Sequence, residues 1–293
     1  MNHLPISVIS VLLQQHIVLK QVFHIKSDHI VRVAEPVLLM EVGDKHVCFG
    51  IINRENRQLS EAGYYIAEQE ETSLTEYLYG RHAELQGPFY QTLISYHFPD
   101  CIFVPLKYFD PGEAISLLNS LVGKNANELT LSEPVAEWDM QNIYRVTKSL
   151  HQSLGKNFAT GKFWHTYTVA LKNSLSVPEG TRLWADFKPN EFTVLLFRDH
   201  IFQLAQIFPY STPADVLYHL LKICSNFSLQ QNEIKIILSG LIEQQSALYE
   251  ELYKYFLHIE FNRPNGAIRM DESFYDYPVH YFSSIYKLAA CVS

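Results

Sequence analysis

Two stretches of the chain repeat one strand-turn-strand pattern, and this repeat constrains the fold more than any other feature. Each stretch has an extended run, a turn and a second run: residues 37–42, 43–45 and 46–52, and residues 183–187, 188–190 and 191–197. The two stretches superpose without a gap, so that Glu41 falls on Asp186. A third extended run follows each, over 59–66 and 201–208. The alternation and the turn residues predict two β-meanders.

A helix is predicted after each meander. In the first half Ser73 precedes Glu76 at the spacing of a capping box, and Gly80 is placed to end the helix. In the second half Thr212 and Asp215 have the same spacing. Both halves therefore continue from strands into a helix at the corresponding place.

Each half then returns to a buried strand and a further helix. The predicted segments are strand 90–98 and helix 110–122 in the first half, and strand 234–238 and helix 244–256 in the second. Ile115, Leu118 and Val122 are the predicted inward stripe of helix 110–122. Additional strands near 128–131 and 141–146 mark residues 100–150 as extra material in the first half.

The order strand-strand-strand-helix-strand-helix, given twice, is that of the actin-like ATPase and ribonuclease-H-like superfold. We therefore expect an α/β protein of two duplicated domains, each a five-stranded mixed sheet flanked by helices. The expected boundaries are an N-terminal extension over 1–24, a candidate for disorder, then a first domain over 25–165 with a small subdomain inserted at about 100–150. A second domain over 166–293 ends in a helix.

Three stretches carry a more specific resemblance: EWDMQNIYRVTKSLHQSL at 137–154, residues 181–261, and YPVHYFSSIYKLAAC at 277–291. Together they make the chain resemble a Bacteroidota family of unknown function with an actin-like ATPase fold. The resemblance implies that fold and a cytoplasmic location. The family brings no assigned reaction, so it transfers no catalytic residues. Residues 100–150 also resemble the inserted subdomain of actin homologues in pilus assembly and cell division.

The turns that would hold ATP in this superfold are altered. An Asp-x-Gly-(Ser/Thr) turn is expected in the first half, where the chain has Glu41, Gly43 and then Asp44, whose charge would repel phosphate. An Asp-x-Gly-Gly turn is expected in the second half, where Asp186 is followed by Lys188 and by a proline that has no N–H to donate. Losing several such donors would weaken a micromolar site to about millimolar affinity.

The residues left over from such a site are Glu41, Gly43, Asp186, Lys188 and Gly240, and each has two interpretations. The two acids are either a remnant metal pair or strand-end acids beside hairpin turns, which we favour. Lys45 and Lys188 either bind an anion together or are solvated turn lysines, which we favour. For Gly240 we expect a tight strand-to-helix turn.

Composition excludes several function classes. The net charge of −8 and a sparse basic stretch at 145–162 argue against nucleic-acid binding. The four cysteines are far apart, which predicts no metal knuckle and fits a reducing cytoplasm. His97 and Cys101 cannot share a helix face, because Pro99 lies between them. The apolar run 4–13 is too short to span a membrane. We expect no metal and no cofactor.

The sequence therefore favours a non-catalytic scaffold or protein-interaction module with a degenerate actin-like ATPase fold. The alternative is an ATPase or small-molecule kinase that uses Glu41 and Asp186 on a metal and Lys188 on phosphate. A ribonuclease-H-like nuclease is a third, weaker alternative. The aromatic segment 274–282 is either a partner anchor or, as we favour, a segment packed on the body before a helix over 283–291.

Overall fold

A computed structural model describes residues 19–30, 33–67, 74–174, 179–263 and 266–293. Within these residues the first sheet has six strands in the spatial order β1-β4-β3-β2-β5-β9. Their bounds are β1 Leu19–Lys26, β2 Pro36–Gly43, β3 His46–Asn53, β4 Leu59–Ala67, β5 Gln91–His97 and β9 Lys162–His165. The pairs β2–β5 and β5–β9 are parallel and the others are antiparallel, so the sheet is mixed.

The second sheet has five strands in the order β12-β11-β10-β13-β14. Their bounds are β10 Thr181–Phe187, β11 Glu191–Arg198, β12 Ile201–Pro209, β13 Lys235–Gly240 and β14 His258–Phe261. The central strand again pairs with an antiparallel hairpin partner on one side and a parallel strand on the other. Glu41 lies opposite Cys48, and Asp186 lies opposite Thr193, so the two hairpins have the same register.

The described residues also form a smaller sheet and seven α-helices. The small sheet has the order β6-β8-β7, with β6 Cys101–Pro105, β7 Glu128–Val135 and β8 Met140–Thr147. The helices are α1 Leu74–Arg81, α2 Ala114–Val122, α3 Lys148–Asn157, α4 Thr166–Lys172, α5 Pro213–Asn226, α6 Ala247–Tyr253 and α7 Ser283–Ala289.

Local hydrogen bonds explain where two of these helices begin. At α5 the Thr212 hydroxyl accepts from the Asp215 N–H, and the Asp215 carboxylate accepts from the Thr212 N–H, which completes the predicted capping box. At α4 the cap is His165, whose Nδ1 accepts from the Tyr167 N–H at 3.2 Å. Its Nε2–H donates to the Phe98 carbonyl at 2.9 Å, which fixes the tautomer.

Helices cover both faces of each large sheet. Helices α1 and α3 pack on one face of the first sheet, and α5 and α6 pack on one face of the second. The remaining faces are covered by helices from elsewhere in the chain. Ile285 and Leu288 of α7 are buried against the first sheet, whereas Ala170 and Leu171 of α4 pack on the second. Helix α7 therefore lies on the sheet farther from it in sequence.

Several predicted details are wrong. The first sheet has six strands, because Leu19–Lys26 pairs antiparallel with β4, so residues 19–24 belong to a strand. Helix α1 continues through Gly80 to Arg81. Ser73, the proposed cap, lies outside the described residues, as do residues 1–18.

The inward face of α2 also differs from the prediction. Ala114 and Leu118 are buried, whereas Ile115 is 58% exposed and Val122 is exposed with it. The small sheet determines this orientation, because Leu118 packs against Ile143 of β8. Of the three residues predicted to face inward, Leu118 is buried as predicted and the other two are exposed.

The aromatic segment 274–282 packs back on the body, as favoured. Phe274 and Phe282 are fully buried, and the Phe282 ring lies 5.2 Å from that of Phe23 on β1. Tyr275 is exposed. The predicted C-terminal helix is present as α7, and it ends at Ala289.

Candidate functional site

Three of the predicted site residues meet in one buried cluster between the two large sheets. Glu41 near the end of β2, Asp186 near the end of β10 and Lys188 just after β10 are only 3%, 4% and 2% exposed. The Lys188 Nζ lies 2.6 Å from Glu41 Oε1 and 3.3 Å from Asp186 Oδ1. The interpretation of Lys188 as a solvated turn lysine is therefore wrong, because its ammonium joins the two acids.

The N-terminal ends of α4 and α7 complete this cluster. Ser284 Oγ donates to Glu41 Oε1 at 2.7 Å and accepts from Lys188 Nζ at 2.8 Å. Ser283 Oγ donates to Asp186 Oδ2 at 2.9 Å, and the Lys287 ammonium contacts the same oxygen. From α4, the Thr166 hydroxyl donates to Glu41 Oε2 at 3.2 Å. Buried carboxylates are thus supplied with hydroxyl donors as well as cations.

The charges in the cluster stabilise one another. Burial opposes ionisation of Glu41, but the Lys188 charge, helped by the two nearby histidines, holds its pKa well below the usual range. The pKa of Asp186 is likewise lowered, because Lys188 and Lys287 outweigh the effect of burial. Burial also disfavours the Lys188 ammonium, yet Asp186 and Glu41 raise its pKa well above normal. Two carboxylates and two ammonium groups leave this cluster without net charge.

The two hairpin turns offer little backbone to a phosphate. The Lys188 N–H already donates to the Glu191 carbonyl at 2.8 Å, and the Tyr210 hydroxyl donates to the Lys188 carbonyl. In the other turn the His46 ring fills the space beside Gly43, since a Cβ built there would lie 2.4 Å from His46 Cε1. The turn glycine therefore makes room for an imidazole.

Gly240 has a conformational role of its own. Its φ is +77°, and a Cβ there would lie 2.1 Å from the Phe187 carbonyl oxygen and 2.7 Å from Asp186 Oδ1. The Leu241 N–H donates to the same Phe187 carbonyl at 2.8 Å. Only glycine fits this close approach of β13 to β10. Gly240 ends β13 and α6 begins only at Ala247, so the positive φ serves this close approach rather than the predicted tight strand-to-helix turn.

Two histidines that the sequence analysis did not place here lie beside Glu41. His46 Nε2 is 3.4 Å from Glu41 Oε1, and His97 Nδ1 is 4.0 Å from Glu41 Oε2. His97 Nε2 faces Glu191 Oε1 at 3.4 Å. Burial lowers the pKa of both imidazoles, so both are neutral at pH 7. Burial and the Asp44 charge raise the pKa of Glu191 to about 7.

Glu41, His46 and His97 are the described residues that could together hold a metal ion, since their ligand atoms lie within 4.8 Å of one another. The Lys188 ammonium would share Glu41 with any such ion, and this positive charge opposes a divalent cation. Strand pairing could have revealed the group. His97 ends β5 opposite Gly43, so the ends of these parallel neighbours meet at one edge of the sheet.

Comparison with protein families gives a decisive match. The model of the family described as Protein of unknown function (DUF3822) matches residues 30–259. The chain belongs to the DUF3822 family. No curated protein sequence matches the chain.

Solved structures show the fold of this DUF3822 protein. A Bacteroides thetaiotaomicron protein with an actin-like ATPase fold and unknown function is 17% identical, with a TM-score of 0.72 over 88% of this chain and 96% of that one. A chain of the PilM-PilN type IV pilus biogenesis complex is 10% identical, with a TM-score of 0.57 over 89% of this chain and 99% of that one. The chain therefore has an α/β, actin-like ATPase fold with mixed sheets.

The family and its structural relative both have unknown function, so no reaction is assigned to the fold in this family. Within the described parts of the chain, no helix is long and apolar enough to cross a membrane.

Proposed function

We propose that this DUF3822 protein is a pseudo-ATPase, a two-domain actin-like protein that acts as a scaffold or protein-interaction module without hydrolysing ATP. The observation that carries the proposal is the Lys188 ammonium between Glu41 and Asp186. In an ATPase of this superfold, acids in these places serve a magnesium ion that accompanies the phosphates. Here a side chain of the protein supplies the positive charge.

The cluster does not fit Mg²⁺. Magnesium prefers octahedral oxygen ligands and several waters, whereas Glu41 and Asp186 here face an ammonium and the hydroxyls of Ser283 and Ser284. Binding a magnesium triphosphate would require Lys188 to leave its two partners in the interior. Buried ion pairs are costly to break, because each partner is then left as an uncompensated charge.

Duplication explains the common strand order of the two large sheets. We assign residues 25–165, with the inserted subdomain at about 100–150, to the first domain and residues 166–293 to the second. The shared hairpin register and the shared strand order support this division. Helix α7 of the second domain packs on the sheet of the first domain, and α4 has buried side chains against both sheets, which ties the two domains together.

The surface that supports an interaction role is the outer face of α2 on the inserted subdomain. Its exposed apolar side chains are Ile115, Leu117, Leu121 and Val122. Contiguous exposed apolar residues are typical of protein contacts. The structural relative from a PilM-PilN complex is a protein with a partner, which favours the same class of function. We place the protein in the cytoplasm, where its four free thiols remain reduced.

Calorimetric titration with Mg-ATP, together with a phosphate-release assay, tests the loss of ATP binding and hydrolysis. We expect no binding tighter than about 1 mM and no turnover above a buffer blank. Binding at about 50 µM or tighter, with turnover that Asp186→Ala abolishes, would establish the ATPase or kinase alternative instead.

A further inference from the structure

A cavity of about 940 Å³ lies beside the cluster, on the inner face of the second sheet. Its floor is formed by side chains of β10, β11 and β13, including Trp184, Leu195 and Ile237. Its roof is formed by α4 and α7, including Tyr286. The cavity reaches Glu41, Asp186 and Lys188 at its inner end and extends from there along β10 toward Arg182, whereas Gly43 and Gly240 do not line it.

The cavity is positively charged, although the whole chain carries −8. The cationic side chains that line it are Arg182, Lys188, Lys235, Arg263 and Lys287, and the acidic ones are Glu41, Asp186 and Glu260. The lining thus has a charge of +2. Lys188 and Lys287 are neutralised at the inner end, and Lys235 pairs with Glu260 at the other end, where the excess positive charge therefore lies. An anionic group is favoured there.

The inner end of the cavity has acceptors that need a donor. Asp186 and Thr193 line this end, and their buried atoms Asp186 Oδ1 and Thr193 Oγ1 have no hydrogen-bond partner among the described residues. The Lys188 ammonium lies 3.3 Å from Asp186 Oδ1 as an ion-pair partner, without forming a hydrogen bond to it. A buried acceptor without a donor is unfavourable. A ligand with an N–H or O–H at this end would satisfy it.

The spacing of these groups sets the length of the ligand. Arg182, Trp184 and Asp186 alternate along one face of β10, and a strand rises about 3.3 Å per residue. The two polar ends are therefore about 13 Å apart, with Trp184 and Ile237 between them. This arrangement has a cationic end, an apolar middle and an acceptor end.

We propose that the cavity binds an elongated organic anion. The anionic group lies near Arg182 and Lys235, an apolar body lies along Trp184 and Ile237, and a donor group meets Asp186. The site shares Asp186 with the cluster discussed above, and the ATP titration described below distinguishes this proposal from the proposed loss of ATP binding. An aromatic acid and an acyl chain share this chemistry, and competition distinguishes them.

The test uses 8-anilinonaphthalene-1-sulfonate, which has a sulfonate, two flat apolar groups and one N–H. Titration into the full chain is followed by probe fluorescence and by energy transfer from tryptophan. We expect saturable binding of one probe per chain. Arg182→Gln removes a cation from the outer end, and Ile237→Trp fills the apolar middle. Each should weaken binding about tenfold or more.

The matched control is Leu121→Ser on the exposed face of α2, which should leave probe binding unchanged. Circular dichroism and the midpoint of thermal unfolding confirm that each variant folds. Absence of saturable binding would overturn the proposal. So would binding that Leu121→Ser abolishes while Arg182→Gln and Ile237→Trp retain it.

Competing ligands then define the class. Displacement by 2-naphthoate but not by decanoate assigns an aromatic acid, and the reverse assigns an acyl chain. ATP titration keeps the two proposals distinct. ATP binding that persists in Ile237→Trp would contradict the pseudo-ATPase proposal alone. ATP binding that this variant abolishes would place the nucleotide in the cavity, as one more aromatic anion.

Discussion

Replacing Lys188 by methionine would test the role of the buried ammonium directly. Methionine keeps most of the side-chain volume but removes the charge. Asp186 would retain Lys287, whereas Glu41 would lose its nearest cation, at 2.6 Å, and keep only hydroxyl donors and neutral histidines. Removing one partner of a buried ion pair typically costs about 3–5 kcal/mol. We expect Lys188→Met to lower the free energy of unfolding by that amount at pH 7.

A second substitution should reverse most of this loss. In Lys188→Met with Glu41→Gln the carboxylate is replaced by a neutral amide of the same shape, so no uncompensated charge remains. Neutral replacements of buried ion pairs are often close to neutral in stability. We expect the double variant to recover to within about 2 kcal/mol of the wild type. The recovery separates loss of charge from loss of packing.

The pH dependence of the free energy of unfolding provides an independent test of the ion pair. In the wild type the pKa of Glu41 is below its usual 4.5, so its stabilising effect is present above pH 4.5 and is lost as the pH falls. In Lys188→Met, burial without the cation should raise this pKa above 4.5. The folded variant would then hold a proton that the unfolded chain has released, and its stability would fall as the pH rises. The difference between the two proteins should therefore shrink from pH 7 to pH 5.

Urea unfolding at pH 5 and pH 7 measures these effects, with the slope checked for two-state behaviour. The matched control is Lys254→Met, because Lys254 is an exposed lysine paired with Glu251 on α6. It should change stability far less than Lys188→Met does, because exposed ion pairs contribute little. If Lys188→Met costs as little as the control, or if the double variant fails to recover, the ion-pair account is wrong.

Three further predictions concern neighbouring features. Burial and Asp44 raise the pKa of Glu191 to about 7, so its contribution to stability falls by about 3 kcal/mol between pH 4.5 and 7. Urea unfolding should therefore show that the free energy of unfolding of Glu191→Gln increases relative to that of the wild type as the pH rises. Gly240→Ala should lower the free energy of unfolding by at least about 2 kcal/mol in the same assay. Gly123→Ala should cost less, because Gly123 has a similar φ of +83° but open space at the Cβ position. Equal costs would refute the close-approach argument. Thr212→Ala should lower the free energy of unfolding by about 1 kcal/mol through loss of the α5 cap, and no loss would contradict that role.

The site could be predicted in part from the sequence, and the reason differs from one residue to the next. Glu41 and Asp186 could be paired in advance because the two hairpins superpose in sequence. His97 could have been added from its position at the end of a parallel strand beside Gly43. Lys188 could not, since a lysine in a turn is normally solvated, and its burial depends on Glu41 of the other sheet as well as on Asp186.

The sequence by itself determined the features that depend on neighbours a few residues away. Turn residues and apolar alternation specify both hairpins, and Thr212 with Asp215 specifies the start of α5. The residues that form each of these features lie close together in the sequence. Tertiary structure decided which surfaces meet. The packing of α7 on the first sheet and the face of α2 that is buried depend on partners distant in sequence. A hydrophobic pattern states that a face must be covered, and only the assembled sheets determine what covers it.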